Sequence, residues 1–522
     1  MDHDRCPPIA RRGGILAKLI ITIAVVLLAL VILVIAEIIA AVNAKPSITV
    51  NYGQRIHDRI LERQRAARGD GPNQWPRFIE IMELVEAGRN DFAQRNEAYQ
   101  PDANDPFPVI DFSIIRGPYD DPAAYGMADL GVYYARARRR GIEALDHWRN
   151  IGVFEASADL PDLHPIVMPA DEAPAVESPI EELSLSRALA RAMGARMRLA
   201  AETGDAAARI QALEEGTALA RILADSGSLL GWLTANGIES LAFACFIQDA
   251  YLFPIDDATL TAADAVIERE LVDAYPTLAD VMANERDAAL DHVQRVYTSR
   301  GRFIPLAHAR LCYTYDISDA PEELLPLGDT GLSNVHSRLF INREAATPWI
   351  NDAYDLADAA ATATGTDAVA ADAALEAHYA APTWRNPAKD IGLEPHRIID
   401  SARRRDIQIA GWRVMLAIER YRLIHDSNPP ATLADLGDVL PESLRTDPFT
   451  GQPWRYEPVA QTTGWNNQPL SAHQVAWPYT LASRPLPGFE TATPEFFNHP
   501  NTGVLITMPV ELPMDRHEGS DR

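Results

Sequence analysis

Histidines beside acids are the first residues to test for catalysis, because an imidazole oriented by a carboxylate can act as a general base. Among thirteen histidines, Asp291-His292 and His425-Asp426 place an acid beside an imidazole in or near a predicted helix. Adjacent residues on a helix point in different directions, so neither acid can orient the neighbouring ring. The pattern therefore predicts surface or helix-end histidines without a catalytic role.

Acidic pairs and catalytic motifs give no stronger signal. Pairs such as Asp120-Asp121 and Asp256-Asp257 are expected by chance in a chain with 73 acidic residues. The sequence has no Gly-x-Ser-x-Gly elbow, no His-Glu-x-x-His zinc helix, no EF-hand loop and no strand-flanked Gly-x-Gly-x-x-Gly. We therefore predict no catalytic residue, no cofactor-binding residue, no cofactor and no metal ligand.

Lysine is nearly absent, and this argues against several nucleotide and cofactor chemistries. Of 47 basic residues only Lys18, Lys45 and Lys389 are lysines, so arginine carries almost all the positive charge. None of the three belongs to a Gly-Lys-Ser/Thr phosphate loop. A pyridoxal Schiff base would have to form at Lys389, whose surroundings predict a surface loop. Neither chemistry is expected here.

The three cysteines are too few for a disulfide framework or a cysteine-rich zinc site. Cys6 precedes the first hydrophobic segment, which leaves at most Cys245 and Cys312 for the rest of the chain. Cys245 lies in an apolar run and is predicted to be a small buried side chain in a helix.

The length, the apolar fraction and the net charge limit the classes of protein to which this chain can belong. With 522 residues and 47% apolar side chains, the chain can bury a sizeable core and is expected to form two or more structural units. The net charge of −26 argues against nucleic-acid binding, which needs a basic surface to displace counterions from phosphates.

The strongest single signal is the hydrophobic run from Leu19 to Val42, in which Glu37 is the one ionisable group. A helix of that length can cross the roughly 30 Å hydrocarbon layer. The run therefore predicts a transmembrane helix, with Glu37 near its outer end. A cleaved signal peptide ending near Ala44 is the alternative, although the apolar region is about twice as long as a signal peptide requires.

Positive charges near the span predict its orientation. Arg11, Arg12 and Lys18 precede it closely, whereas Lys45 alone follows within ten residues. This bias favours a cytoplasmic N-terminus and an extracytoplasmic bulk. Further arginines follow in the predicted stalk from Ile48 to Arg68, whose basic face is expected to lie on anionic headgroups or to remain solvated.

Beyond the membrane the pattern predicts a mainly α fold, with an α-hairpin stack and a small C-terminal antiparallel β element. Leu183–Glu202, a second helix ending near Ser226-Gly227, and Ser228–Tyr251 are predicted to stack, with Thr203-Gly204-Asp205 as the first turn. Other helices are predicted over the ranges Trp75–Gly88, Met127–Phe154, Asp256–Tyr275, Thr277–Tyr297 and Thr347–Tyr379.

The predicted domain organisation follows the proline-rich breaks. It comprises a cytoplasmic tail (1–18), the transmembrane helix (19–42), juxtamembrane helices (43–100), a helix with proline-rich linkers (101–180), an α-helical domain (181–395), a long helix with a small α+β segment (396–512) and a disordered tail (513–522). The Asp447-Pro448 turn, closed by Gly451, leads to predicted strands at Trp454–Glu457, Tyr479–Ser483 and Val504–Met508.

The C-terminal residues resemble two groups of proteins. The segment Asp447-Pro448-Phe449-Thr450-Gly451-Gln452-Pro453-Trp454-Arg455-Tyr456, followed by Tyr479-Thr480-Leu481-Ala482-Ser483, is similar to the C-terminal part of type II secretion pseudopilins. The order of elements also resembles uncharacterised single-pass bacterial envelope proteins with an α-helical middle. The resemblance implies a local antiparallel sheet and an envelope location. It implies no activity and no calcium site, because Ser483-Arg484-Pro485 replaces the calcium-binding end of pseudopilins.

Two functional hypotheses follow. The first is a membrane-anchored, noncatalytic binding or scaffold module of the cell envelope, which would bind another envelope protein and would present an apolar or acidic groove between helices. The second is an extracytoplasmic, hydrolase-like enzyme whose site is assembled from distant residues. It would show a deep pocket with converging acids or histidines and perturbed pKa values.

Overall fold

The computed structural model describes residues 22–28, 45–97, 130–167, 180–301, 304, 343–380 and 395–459, followed by 474–475, 477–484, 498–499, 503–504, 506 and 510–511. These residues are mainly helical, with small antiparallel β elements near the C-terminus, as predicted. The predicted loop at 101–122, the tail at 513–522 and most of the span at 19–42 lie outside the described residues.

Helices account for most of the described chain. They are α1 (Tyr52–Arg68), α2 (Trp75–Glu97), α3 (Leu130–Asn150), α4 (Val153–Ser157), α5 (Ile180–Thr203), α6 (Ala206–Ala224), α7 (Leu229–Leu252), α8 (Asp257–Ile267), α9 (Leu278–Val296), α10 (Arg343–Thr362), α11 (Gly365–Tyr379) and α12 (Pro395–Ile424). A π-helical turn, Glu268–Asp273, continues α8. Short 3₁₀ helices cover Leu160–Asp162, Leu433–Val439 and Glu442–Leu444.

Two helices predicted as continuous are each divided in two. The predicted Met127–Phe154 helix is broken after Asn150, where Gly152 takes a left-handed conformation with φ of 86°. The predicted Thr347–Tyr379 helix is broken after Thr362, and Gly365 has φ of 58°. Both breaks use glycine because a side chain disfavours positive φ. The apolar stripe continues on both sides of each break, so periodicity alone did not reveal them.

The chain divides into two compact units. The first contains Met1–Asn51, Leu290–Trp349 and Pro382–Ile391, and the second contains Tyr52–Ala289, Ile350–Ala381 and Gly392–Arg522. In the first unit the buried Gln294 holds an extended segment: its amide oxygen accepts from the backbone of Thr49 (3.0 Å) and Val50 (3.2 Å), and its amide nitrogen donates to the carbonyl of Val50 at 2.6 Å.

In the second unit, α5, α6 and α7 pack against one another and form the predicted stack. Gly204, with φ of 74°, ends α5, and the Asp205 carboxylate caps α6 by accepting from the backbone of Ala208 at 3.0 Å. Ser228 caps α7 in the same way through Gly231 at 3.0 Å. Short capped turns therefore return each helix along the previous one.

Helix α7 is apolar on almost every side. It is the one helix of the described residues long and apolar enough to cross a membrane, and 61% of its most apolar stretch is buried inside the protein. Phe243 of α7 stacks on Trp412 of α12 with ring centroids 4.4 Å apart. Helix α12 also packs on α8, so α7 lies in the core as predicted.

The C-terminal β element packs on α12. Strand β1 (Arg455–Glu457) pairs antiparallel with β3 (Thr480–Ala482), and Leu481 lies opposite Tyr456. The carbonyl of Leu481 also accepts from the backbone of Ile506 at 2.9 Å, so a third segment extends the sheet. Ile506 reaches Gly411 so closely that a Cβ there would lie 2.7 Å from its side chain. Two further ladders pair β2 (Gln474–Val475) with β6 (Val510–Glu511) and β4 (Asn498–His499) with β5 (Gly503–Val504).

The predicted Asp-Pro turn is confirmed in its geometry. The Asp447 carboxylate accepts from the backbone of Phe449 at 2.7 Å and of Thr450 at 3.0 Å, and Gly451 has φ of 66°. The expected strand at 504–508 is present in part, as β5 and the bonded Ile506.

Three arginines of the predicted stalk bind groups of the protein itself, a role that neither expectation included. In α1, Arg59 donates to Asn284 at 2.7 Å and to Asp287 at 2.5 Å. Arg63 pairs with the buried Asp225. Arg68 donates to Glu270 at 2.9 Å. Helix α1 is thus docked on the helical body through these three guanidinium groups, whereas Arg55 and Arg65 remain about half exposed.

This docking leads to a matched prediction. Replacing Arg63 by alanine should lower the free energy of unfolding by about 1–3 kcal/mol, because the buried Asp225 loses its nearest donor. Replacing Arg65, whose 3.5 Å contact is with the 92% exposed Asp70, should change it by less than about 0.5 kcal/mol. Urea unfolding of the two variants measures both values. Equal effects would show that α1 is not held by its buried pairs.

Candidate functional site

A cleft of about 510 Å³ borders one face of α12 in the second unit. Residues three or four apart on that helix form its wall, namely Ala402, Arg405, Ile409 and Arg413. Other lining residues come from the π-helical turn after α8 and from the chain leading into α9. Most of these residues are apolar, including Leu271, Val272, Pro276 and Leu278. The ends of α7 and α10 and the loop at 443–448 complete the lining. Its size lies within the range of small-ligand pockets.

Arg405 is the central charged group of the cleft. Its guanidinium lies 2.8 Å and 3.0 Å from the two carboxylate oxygens of Glu239 on α7, and donates to the carbonyl of Leu271 at 2.8 Å. The guanidinium carbon lies 3.5 Å from the centre of the Tyr275 ring. The Tyr275 hydroxyl in turn donates to Asn236 at 3.1 Å. Arg405 therefore connects α7, α12 and the chain after α8 through one buried group.

Burial controls the ionisation of these groups. Loss of water raises the pKa of Glu239 to about 7, and the attraction of Arg405 offsets only part of that effect. Burial by itself lowers the pKa of Arg405, but Glu239 and Tyr275 more than compensate, so its net pKa is raised and it stays charged. Burial also raises the pKa of the Tyr275 phenol well above its ordinary value.

Two more arginines of α12 line the cleft, and each is held by an acid. Arg403 donates to both carboxylate oxygens of Asp372 at 2.7 and 3.0 Å and lies over the Phe449 ring. Arg413 lies 2.7 Å from Asp264 and 3.2 Å from Glu268. The acid partners fix the direction of each guanidinium. The cleft is thus an apolar surface bordered by rigid, charge-balanced arginines.

Such an arrangement is suited to recognition. An apolar segment of a ligand can displace water from the floor, and the fixed guanidinium groups and hydroxyls of Thr277, Thr362 and Ser443 can orient its polar parts. The one acid of the described lining, Asp406, lies 3.2 Å from Arg405. Glu239 does not line the cleft and is reached through Arg405 and Tyr275.

Sequence reasoning missed this cluster. The sequence places Glu239 in a predominantly apolar helix. That position was a usable signal, because a buried acid needs a partner. Arg403, Arg404 and Arg405 are consecutive in the sequence, and arginines normally face solvent. Arg403 and Arg405 are nevertheless only 5% and 8% exposed. The pattern of one helix does not say which of its polar residues another helix covers.

The residues singled out from the sequence lie in separate places. Cys245 is buried in α7, as predicted. His425 follows α12 and stacks on Tyr421, as predicted for a helix-end residue. The surface or helix-end prediction is wrong for His292, which is 6% exposed, because it lies on the buried face of α9. The neighbouring Asp291 binds Gln294 at 2.7 Å and Arg295 at 2.7 Å.

Of the other residues singled out from the sequence, one is a helix cap and the rest lie outside the described residues. Asp256 caps α8 by accepting from the backbone of Thr259 at 2.8 Å. Cys6, Glu37, Lys389, Cys312 and the Asp120-Asp121 pair lie outside the described residues. Across the ranges that the structure describes, no three His, Cys, Asp or Glu side chains are grouped so that they could hold a metal ion.

The buried pair of Glu239 and Arg405 predicts that the free energy of unfolding depends on pH. Because the pKa of Glu239 is about 7 in the folded protein and ordinarily 4.5, the folded state binds more protons between these values. The free energy of unfolding should therefore fall as pH rises from about 4.5 to 7, by up to roughly 3 kcal/mol. Glu239→Gln should remove this fall, measured by urea unfolding at pH 5 and pH 8. Glu457→Gln, at an exposed surface pair, is the control and should keep it. A wild-type slope in the Glu239→Gln variant would contradict the assignment.

Comparison with known proteins finds no matching family model, no matching curated protein and no matching solved structure.

Proposed function

We propose that this chain is a single-pass membrane protein of the bacterial cell envelope, whose extracytoplasmic helical body binds another envelope protein and does not catalyse a reaction. The hydrophobic run at 19–42 is the proposed anchor, with the N-terminus in the cytoplasm. Residues 22–28 support the anchor, because they are helical and their apolar side chains, including Ile23 and Leu28, are more than half exposed. A helix that leaves such a surface uncovered by protein suits a lipid environment.

The observation that carries the binding role is the cleft along α12. Its apolar floor resembles the surfaces that accept an apolar segment of a partner. Its arginines are already paired with acids, so they can orient the polar groups of a partner without leaving an unbalanced buried charge. Val272 at the cleft is 46% exposed, so a partner can reach it. We therefore assign the partner-binding surface to this cleft.

A hydrolase-like enzyme is the second candidate. The observation that favours it is the titration of Glu239 near neutral pH beside the cleft, because carboxyl groups with such pKa values serve as acids or bases in enzymes. A substrate in the cleft would meet Arg405 and Tyr275 before Glu239, since these two line the cleft and Glu239 does not. That order favours binding over proton transfer.

The anchor and its orientation predict a simple fractionation result. The full chain should stay in the membrane pellet after an alkaline wash, and deletion of residues 1–44 should release it. Protease added to intact spheroplasts should digest the body of the full chain. A cytoplasmic protein expressed in the same cells should stay intact and controls for lysis. A full chain in the soluble wash, trimmed after Ala44, or a body protected from protease would contradict the proposal.

The cleft predicts where a partner can be trapped. A photoreactive benzophenone amino acid at Val272 should give one discrete cross-linked product in membranes, because this side chain lines the cleft. The same residue at Val459, which is 64% exposed and outside the cleft, should give none. Mass spectrometry of the product identifies the partner. Equal products at both positions, or none at Val272, would remove the cleft from the proposal.

A further inference from the structure

A second cavity, of about 300 Å³, lies where two helices of the second unit begin. The turn Gly204–Ala206 at the start of α6 and the residues Pro254–Asp256 before α8 both line it. Helix N-termini carry partial positive charge and backbone amides without intrahelical partners. None of the lining residues of this cavity lines the cleft along α12, so the inference does not depend on the proposed function.

The cavity is also lined by Arg209, a buried cation for which the described residues supply no ion-pair partner. Arg209 is 2% exposed, and one amino group donates to the carbonyl of Phe246 at 2.8 Å. Its Nε has no hydrogen-bond partner, and no carboxylate lies within 4 Å of it among the residues that the structure describes. Burial lowers the pKa of Arg209 to about 10, although Asp249 attracts its charge from further away. The side chain remains protonated at neutral pH, and a buried charge left in this state favours an anionic ligand.

Two acids, Asp205 and Asp256, line the same cavity and place negative charge beside the positive charge of Arg209. The carboxylates of Asp205 and Asp256 are exposed, and each uses its Oδ1 atom to cap its own helix. The hydrogen bonds of the Thr259 side chain and backbone lower the pKa of Asp256. In the described part of the chain, Oδ2 of each acid makes no hydrogen bond that would compete with a ligand. Ala200, Ala201 and Ile255 supply apolar surface between the charges.

We propose that this cavity binds a free α-amino acid, with its carboxylate at Arg209, its ammonium group at Asp205 and Asp256, and a small apolar side chain on the alanines and Ile255. A zwitterion matches the pattern because the site offers one buried cation and two exposed anions. A simple anion would meet two carboxylates, and a simple cation would meet Arg209. A ligand that carries an ammonium group and a carboxylate group on the same carbon atom avoids each repulsion.

The test uses the purified full chain in detergent. Thermal unfolding with each of the twenty amino acids at about 10 mM should show a raised melting temperature with apolar amino acids, L-leucine among them. Calorimetric titration should then compare L-leucine with 4-methylpentanoate, which lacks the ammonium group, and isopentylamine, which lacks the carboxylate. L-leucine should bind at least about tenfold more tightly than either analogue, because each analogue loses one charge-assisted contact.

Matched variants separate binding from folding. Asp205→Asn and Asp256→Asn should each weaken L-leucine binding about tenfold while keeping the fold, because asparagine caps a helix as well as aspartate does. Asp280→Asn replaces an acid in the first turn of α9, where it accepts from the backbone of Thr277 at 3.0 Å, outside the cavity, and should bind like the wild type. Arg209→Lys keeps the charge but loses the planar fork, and should also weaken binding.

Several results would overturn the proposal. One is the absence of any shift or binding heat with all twenty amino acids. Another is equal binding of L-leucine and 4-methylpentanoate, which would show a site for anions alone. The third is an Asp256→Asn variant that folds normally and binds L-leucine as tightly as Asp280→Asn does.

Discussion

The contact between a buried guanidinium and a carboxylate on another element is the interaction on which this helical body depends. Arg198 on α5 lies 2.7 Å from Asp249 on α7, and both side chains are almost fully buried. Arg221 on α6 binds Glu270 after α8 at 2.8 Å, and Arg68 on α1 reaches the same acid. Arg405 joins α12 to Glu239 on α7. Each pair connects elements that are distant in sequence, so the pairs define which helix faces meet.

Arginine suits this role better than lysine, and arginine supplies almost all of the basic residues of the chain. One planar guanidinium can bind two carboxylates, or a carboxylate and a carbonyl, in fixed directions, and it stacks on aromatic rings. Arg405 uses all of these contacts, with Glu239, the carbonyl of Leu271 and the Tyr275 ring. Buried ion pairs add little net stability compared with apolar packing, because both charges lose water. Their effect here is to select one arrangement of helices, since a shifted helix would leave a charge buried and unpaired.

Both candidate binding sites are lined by arginines of the helical body. The cleft along α12 is bordered by arginines whose charges are already balanced, and its floor is apolar. The smaller cavity contains Arg209, which has no carboxylate partner in the part of the chain that the structure describes, together with two acids that serve as helix caps. The first surface is therefore suited to an apolar segment of a protein, and the second to a small charged molecule. The difference follows from whether the arginine is paired within the chain.

Local physical rules allowed the sequence alone to determine the helices, their caps and the Asp-Pro turn. Helical spacing, Gly204 and Ser228 placed α5, α6 and α7 within a few residues, because a stripe of apolar residues and a cap depend only on neighbours along the chain. The glycine breaks at Gly152 and Gly365 escaped prediction, since the apolar spacing continues across them. The burial of Arg403, Arg405 and His292, the docking of α1 and the two candidate binding sites were decided only by tertiary structure. A polar residue becomes buried when a distant element supplies its partner, and the periodicity of one helix carries no information about that element.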